Sequence, residues 1–320
     1  MSTPLRKMKI LIVHAHPGDI ACEGAGTVAL HVERGDEVHC LVVSDGERHH
    51  NDMLHREYNK PAGERDAEVM GTDVNDIKAY KRDEAQRMCD FLGIKKMYAF
   101  GWSDVCWSVS HDRIEQIAEV IREVKPDILL THIPWGELQT PQIDVHASVG
   151  QMARMAARYC SDSLPQIDGH NPHHVKGIYY FPMMGMADTA FNLGNGTVCD
   201  IWIDITSVVQ KKVHVIELLV SQGYQGACAR KIVEAREGRW GSLCGCSYAE
   251  PWVRDRAVRY AHLPVRPEDL DKKYVPNDLP GDLMICKDIP PRTDIPAVPF
   301  PLPANSNGNG ASKKHLPASV

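Results

Sequence analysis

Lys9-Ile10-Leu11-Ile12-Val13-His14-Ala15-His16-Pro17-Gly18-Asp19 is the stretch on which the fold turns. Its apolar, β-branched run is entered directly from a charged N-terminal segment and closed by Pro-Gly, the pattern of a buried parallel strand running into a tight loop. His16 and Asp19 then stand at the C-terminal end of that strand. In an open α/β sheet this is the edge where strand-to-helix loops converge and ligands bind. A neutral imidazole and a carboxylate three residues apart can both reach one divalent cation from such a loop, and zinc accepts the mixed N/O set. The same residues also suit plain structural duties, His16 closing a strand and Asp19 capping the helix that follows.

Outward from this stretch, Ala25, Val28, Ala29 and Val32 recur at helical spacing and Gly35 offers a C-terminal cap, which predicts a helix over 22–34. Glu37 to Ser44 reads as the second strand, ending in Asp45-Gly46-Glu47-Arg48. A strand-helix-strand unit of this length makes a right-handed crossover with both loops at one edge, so Glu47 is expected to approach His16 and Asp19. From His49 to about Tyr80 the chain is polar, without clear period, and holds Pro61, Gly63 and Gly71. It reads as a long connection, either a lid with substrate contacts or a surface loop.

Helices are expected over 82–92 and 113–124, with a short strand over 97–100 between them. Pro126-Asp127 opens the strand Ile128-Leu129-Leu130-Thr131-His132, and His132 repeats the placement of His16 at a strand's end. The next loop carries Asp144 and leads to His146, at the start of a helix expected over 147–159. Far from the helix C-terminus that would favour its charge, this imidazole tends to stay neutral and able to ligate. Strands over 177–182 and 199–205 and a helix over 208–220 follow, with Met183-Met184-Gly185-Met186 as flexible apolar filling.

The 320 residues suffice for one large domain with a sizeable core, and 43% hydrophobic with 24% charged residues is an ordinary globular composition. A net charge of −6 argues against general nucleic-acid binding, which needs a basic face. No apolar run approaches the roughly 18 residues of a membrane span, and the polar opening residues lack an apolar signal core. A cytoplasmic chain acting on a small-molecule substrate, with neither nucleic-acid nor membrane partner, is therefore expected.

The cysteines are scattered, mostly in apolar segments, as buried thiols are. Cys244-Gly245-Cys246 is the one close pair, and without a second pair at zinc-ribbon spacing it does not define a structural zinc site. His170, His173 and His174 could form a second metal cluster, but the asparagine and proline among them suit a solvated loop. Just over half of the 21 prolines fall after residue 263. Residues 264–320 thus read as an extension without a core of its own, loose at its end and wrapped over the domain or a second subunit through Val298-Pro299-Phe300-Pro301-Leu302. A homo-oligomer built through this arm is the corresponding expectation.

Taken together, a first strand ending in Ala-His-Pro-x-Asp, a second ending in Gly-Glu-Arg, and an Asp-x-His before a small-residue helix resemble the PIG-L/LmbE family. Ser247-Tyr248-Ala249-Glu250 is similar to that family's closing motif, so the resemblance covers roughly residues 8–255. It implies a Rossmann-like α/β fold and zinc-dependent N-deacetylase chemistry. Carried over position by position, it places the zinc ligands on His16, Asp19 and His146. Two histidines and one carboxylate leave a coordination position for water, as a catalytic zinc needs.

The departures are specific. Deacetylases of the family usually carry His-Pro-Asp-Asp-Glu, with the first Asp as general base; here that position is Gly18, and Ile20 replaces the Glu. The histidine usually three residues before the last ligand falls on Ile143. A smaller branch, resembling 4-oxalomesaconate hydratases, also lacks the first Asp and is similar in Asp45-Gly46-Glu47-Arg48 and Arg82-Asp83-Glu84-Ala85, with Glu47 as the matching acid/base group. A second acid, which that branch would supply around Phe181 to Met186, has no histidine to match it.

The sequence therefore predicts an α/β, Rossmann-like domain over 1–263, with a mainly parallel sheet and helices on both faces, followed by the proline-rich C-terminal extension over 264–320. The leading expectation for function is a zinc-dependent hydrolase acting on an amide C–N bond of a small polar metabolite. Glu47, Asp144 and His132 would then be the catalytic residues, with Glu47 or Asp144 handling protons in place of the missing Asp. A zinc-dependent hydratase of an unsaturated keto acid is the close alternative. A non-catalytic nucleotide-binding scaffold is the third, and Gly24-x-Gly26, lacking a third glycine and lying inside the first helix, argues against it.

Overall fold

β1 (Lys9–His14) is buried along all but its first residue, which is possible only in the middle of a sheet covered on both faces. The computed structural model describes residues 6–104, 108–134, 143–162, 171–182 and 199–264, with Ile143 and Asp144 described through their backbone alone. After β1 come α1 (Asp19–Glu23), α2 (Ala25–Glu33), β2 (Glu37–Ser44), α3 (Asp52–Tyr58), α4 (Ala67–Met70), α5 (Val74–Leu92), β3 (Lys96–Trp102) and α6 (His111–Val124). Then follow β4 (Ile128–His132), α7 (Ile143–Cys160), β5 (Gly177–Phe181), β6 (Ile201–Asp204), α8 (Val209–Glu217), α9 (Ala227–Val233), α10 (Arg239–Cys244) and β7 (Ala249–Arg254). The sheet order is β3-β2-β1-β4-β5-β7-β6, parallel from β3 to β5, with β7 antiparallel to both of its neighbours.

Alternation along the strands divides the core. Ile10 and Ile12 of β1, with Val38, Cys40 and Val42 of β2, face one layer of helices that includes α1, α2, α5 and α8. Leu11, Val13, Leu41 and Val43 face the other, formed by α6 and α7. The expected mixed α/β architecture, mainly parallel and helix-covered on both faces, is what the chain adopts. No helix among the described residues is long and apolar enough to cross a membrane. The proline-rich extension beyond residue 264 lies outside the described residues.

Several boundaries differ from expectation for identifiable reasons. The helix expected over 22–34 is two helices meeting at Gly24. Over 49–80, where no period is legible, the chain forms α3, α4 and the first turns of α5. Their starts for α4 and α5 are fixed by Asp66, which accepts from the Glu68 and Val69 N–H groups, and by Asp73, which accepts from Asn75. These helices are mostly exposed, so they carry little apolar pattern to read. β7 contains Pro251, a residue that ordinarily argues against a strand; it is paired with Trp202 of the outer strand β6, beyond the stretch that pairs with β5.

β7 also carries the group that organises the far side of the core. Glu250 accepts from the Gly26 and Thr27 N–H groups at 2.9 and 2.7 Å and from Thr27 Oγ1 at 2.6 Å, so a carboxylate from a distant strand caps the N-terminus of α2. Its charge is met by Lys212 Nζ at 2.7 Å, which also lies 2.8 Å from Glu237. Arg236 lies 2.9 Å from Glu23 and 3.5 Å from Glu237. Lys212, Glu237 and Glu250 are wholly buried.

Lys212→Met removes one partner of a buried ionic group, leaving Glu250 without its cation and Glu237 with Arg236 alone, so it should cost about 3–5 kcal/mol of unfolding free energy, read from urea titration. Burial pushes the Glu23 carboxyl up to about 7, against the opposing charges of Arg236 and Lys212. Unfolded, this group titrates near its ordinary value of 4.5. Between these values the folded chain binds the extra proton, so this group's contribution is full below the lower value and is lost as pH rises through the higher one. The melting temperature of wild type should accordingly fall, relative to Glu23→Gln, as pH is raised across that window; parallel profiles would contradict the assignment.

Candidate metal centre at the carboxyl edge of the sheet

Four strands of the parallel sheet end beside one another, and the chain places a polar group at each end. After β1 the backbone doubles back: the Asp19 N–H donates to the His16 carbonyl at 3.2 Å, and the His16 N–H donates to Asp19 Oδ2 at 2.7 Å. His132 closes β4. His146 comes from the first turns of α7, which packs so tightly on the end of β4 that a Cβ on Gly150 would lie 2.3 Å from the His132 carbonyl oxygen. Only glycine permits that approach, and it sets the depth at which His146 meets the β1 loop.

The result is a triangle of donors. His16 Nδ1 lies 3.1 Å from His146 Nε2 and 3.7 Å from Asp19 Oδ1, and His146 Nε2 lies 3.6 Å from the same oxygen. A tetrahedral ion with bonds of about 2.0–2.1 Å has ligand–ligand edges of roughly 3.3 Å. The three atoms therefore form one face of such a tetrahedron, and the donor set fits a divalent cation. Of the residues assigned from sequence, His16, Asp19 and His146 are brought together with His132 behind them, and Glu47 is joined to them through Asp104. The Asp144 side chain lies outside the described residues, as do Met183 to Met186 and His170. His173 is bound 2.7 Å from the Pro126 carbonyl, away from this centre.

His132 is fully buried, which drives its pKa down to about 3 despite the nearby Asp19 charge. It is therefore neutral, and its Nε2 accepts from the Ala15 N–H at 3.0 Å. That bond puts the ring proton on Nδ1, which is buried and has no hydrogen-bond partner among the described residues. Nε2 also stands 3.1 Å from Asp19 Oδ2, but its lone pair is already committed to Ala15. Burial opposes the charge on Asp19 too, yet His146 and His16 hold its carboxyl well below the ordinary range. For His16 burial works against protonation, but Asp19 and Asp104 outweigh it and raise the ring to about 9. Without metal, a proton on this ring meets the charge that a cation would otherwise balance.

Asp104 and His49 are partners that sequence reasoning missed. Asp104 Oδ1 receives His16 Nε2 at 2.9 Å, fixing the ring so that Nδ1 faces His146, and its Oδ2 lies 2.7 Å from His49 Nδ1. His16, His49 and Asp104 are the second group of possible metal donors among the described residues, sharing His16 with the first. The signal for Asp104 was its place just past the end of β3, the rule that singled out His16. A strand read only to Phe100 left it in a loop.

Glu47 accepts from the Asp104 N–H at 3.0 Å and from Ser103 Oγ at 3.3 Å through Oε1. Its Oε2 is buried without a hydrogen-bond partner among the described residues, and Lys78 Nζ lies 3.8 Å from Oε1. The loop bearing Glu47 is held by α5. Lys81 Nζ donates to the Gly46 and His49 carbonyls at 2.8 and 2.5 Å, and Arg82 grips Asp45 with two bonds of 3.0 and 2.6 Å. Glu84 takes the Ser221 N–H and hydroxyl at 2.7 and 2.6 Å, anchoring α5 itself. A Cβ on Gly18 would meet the terminal amide of the Gln222 side chain at 2.6 Å and a Leu219 methyl at 3.2 Å, so a side chain there requires those flexible ends to turn aside.

An open parallel sheet with a cluster of histidines and a carboxylate at its carboxyl edge defines an α/β protein equipped to hold a metal ion. Residues 11–157 match the family model described as PIG-L, GlcNAc-PI de-N-acetylase, and the chain carries a PIG-L family domain. It is 27% identical over 226 residues to a 4-oxalmesaconate hydratase of Pseudomonas putida, covering 69% of this chain and 76% of that protein. It is also 27% identical over 180 residues to a diacetylchitobiose deacetylase of Thermococcus kodakarensis, covering 54% of this chain and 60% of the deacetylase.

Among solved structures, the fold matches a 4-carboxy-2-hydroxymuconate hydratase from Pseudomonas putida with a TM-score of 0.64 at 22% identity, covering 80% of this chain and all of that one. It matches the N,N'-diacetylchitobiose deacetylase from Pyrococcus horikoshii with a TM-score of 0.59 at 20% identity, covering 77% and 83% respectively. Family members thus include both deacetylases and a hydratase.

If the triangle holds the metal, His146→Ala leaves two donors. Elemental analysis of the purified variant should show the divalent metal of wild type lost, with the circular dichroism spectrum unchanged. Equal metal in both proteins would place the ion elsewhere.

Proposed function

We propose that this chain is a zinc-dependent hydratase that adds water across the conjugated double bond of a small unsaturated polycarboxylic acid of the 4-oxalmesaconate kind. The observation that carries the proposal is the pairing of a glycine at position 18, where there is no carboxylate, with a buried, half-free Glu47 that is joined to the metal donors through Asp104. The carboxylate that amide hydrolysis would use as base is missing from position 18, where the side-chain ends of Gln222 and Leu219 lie against the glycine instead. The carboxylate that does adjoin the site belongs to Glu47, as in the hydratase-like branch. The relative that aligns over the greatest share of both chains among those described above is also a hydratase.

His16, His146 and Asp19 are the proposed zinc ligands. Two imidazole nitrogens and one carboxylate oxygen form a set that zinc takes while leaving a position open, and bound zinc supplies a Lewis acid for a substrate keto or enol oxygen. Asp104 positions His16 through its Nε2. His132, neutral and dry, positions the β1 loop through Ala15 and crowds Asp19 from behind. Glu47 Oε2 takes a proton from the attacking water as its oxygen bonds to one alkene carbon and the proton is delivered to the other. Lys78, next to Glu47 and partly exposed, is the cation available to a substrate carboxylate.

Amide hydrolysis at the same centre is the reading that the deacetylase relatives favour. The two differ in product: a hydratase removes conjugated-alkene absorbance without releasing amine, whereas a deacetylase frees amine from an N-acetylated sugar. Glu47→Gln should lower kcat for hydration by about 10²–10⁴-fold, the range for losing a general acid/base, with zinc content unchanged. Amine release by wild type, with no loss of alkene absorbance, would overturn the hydratase proposal.

A further inference from the structure

The Cys-Gly-Cys turn between α10 and β7 has no part in the centre described above. Cys244 ends α10, Gly245 takes left-handed backbone at φ 79°, and the reversal brings Cys246 Sγ to 3.5 Å from Cys244 Sγ. The turn is fixed on both sides. The Cys246 N–H donates to the Gly241 carbonyl at 3.0 Å, and α10 lies so close to the departing chain that a Cβ on Gly241 would fall 2.5 Å from the Ser247 carbonyl. Cys244 is exposed and Cys246 half-buried. Among the described residues, Cys22, Cys40, Cys89, Cys160 and Cys199 are buried, while Cys228 is exposed.

We propose that Cys244 and Cys246 form a redox-modification site, a dithiol that exchanges with a low-molecular-weight disulfide of the glutathione type and closes to an intrachain disulfide. The sulfurs already touch at 3.5 Å, and a disulfide brings them to about 2.05 Å. The hydrogen bond from Cys246 favours the Cys244 thiolate, against burial and the charge of Asp204, and Cys244 is the more accessible sulfur. Cys244 is therefore the attacking group and Cys246 the resolving one.

In the first step the Cys244 sulfur, giving up its proton, attacks one sulfur of the external disulfide; that S–S bond breaks and one thiol leaves with the proton. In the second, Cys246 attacks the Cys244 sulfur of the mixed disulfide and expels the second thiol, which takes the Cys246 proton. Two protein thiols are oxidised to one disulfide, and the external disulfide is reduced to two thiols. Closure tethers a turn that joins Arg236 and Glu237, on the chain leading into α10, to Glu250 in β7, and so spans both arms of the buried ionic group.

The test uses the full chain equilibrated with defined mixtures of reduced and oxidised glutathione, then alkylated and mapped by peptide mass spectrometry. The expected result is a peptide containing Cys244 and Cys246 that loses two hydrogens, carries no glutathione and regains both thiols on reduction. Cys246→Ser should stop at a glutathione adduct on Cys244, as Cys228 does in every form. Circular dichroism checks that the variant is folded. Retention of both thiols, or glutathione adducts on Cys244 of wild type without ring closure, would overturn the assignment.

Discussion

Asp19 is the charge around which the sheet edge is built. A carboxylate buried at this depth is expensive unless positive or strongly polar groups surround it, and here His16, His146 and the His16 backbone N–H do so at once. Each partner arrives by a different route. His16 comes from the same loop, while His146 is brought by α7, whose depth depends on Gly150. The same requirement that keeps Asp19 charged leaves one face of the cluster able to accept a divalent ion. Stability and chemistry therefore rest on one carboxylate, and replacing it would disturb both.

Behind this edge the domain repeats the principle with different residues. Glu250 caps α2 from across the sheet while Lys212 neutralises it, so the first helical layer is tied to β7 by charge as well as by packing. This gives the Ser247-Tyr248-Ala249-Glu250 motif a physical meaning. It closes the fold by supplying hydrogen-bond acceptors to a helix N-terminus more than 200 residues earlier in the chain. Tyr248 adds a bond of 2.9 Å to Glu234 on the same side.

Much of the fold and of the candidate site was legible in the sequence because both follow from strand ends. β1, β2 and β4 are apolar runs that stop at polar residues, and His16, Asp19, Glu47 and His132 all lie at those stops. His146 was legible from the start of its helix, although α7 begins earlier than apolar spacing suggests. What could not be read has two causes. Helices α3 and α4 are mostly exposed and carry no hydrophobic period, α4 starting on the single capping residue Asp66 and α3 without a capping side-chain bond, and β7 hides behind Pro251. Asp104 becomes visible only when β3 is carried on to Trp102, and His49 only by what it touches. A histidine in a polar loop looks solvated until the fold sets it 2.7 Å from a buried carboxylate.

The claim at the centre of this account is that two imidazole nitrogens and one carboxylate oxygen, from His16, His146 and Asp19, converge on one metal ion. Zinc K-edge X-ray absorption on the zinc-loaded full chain tests it most directly. The account predicts a four-coordinate shell of nitrogen and oxygen at about 2.0–2.1 Å, with the multiple-scattering features of two imidazoles. A sulfur shell at about 2.3 Å would place the ion on cysteines instead and contradict it.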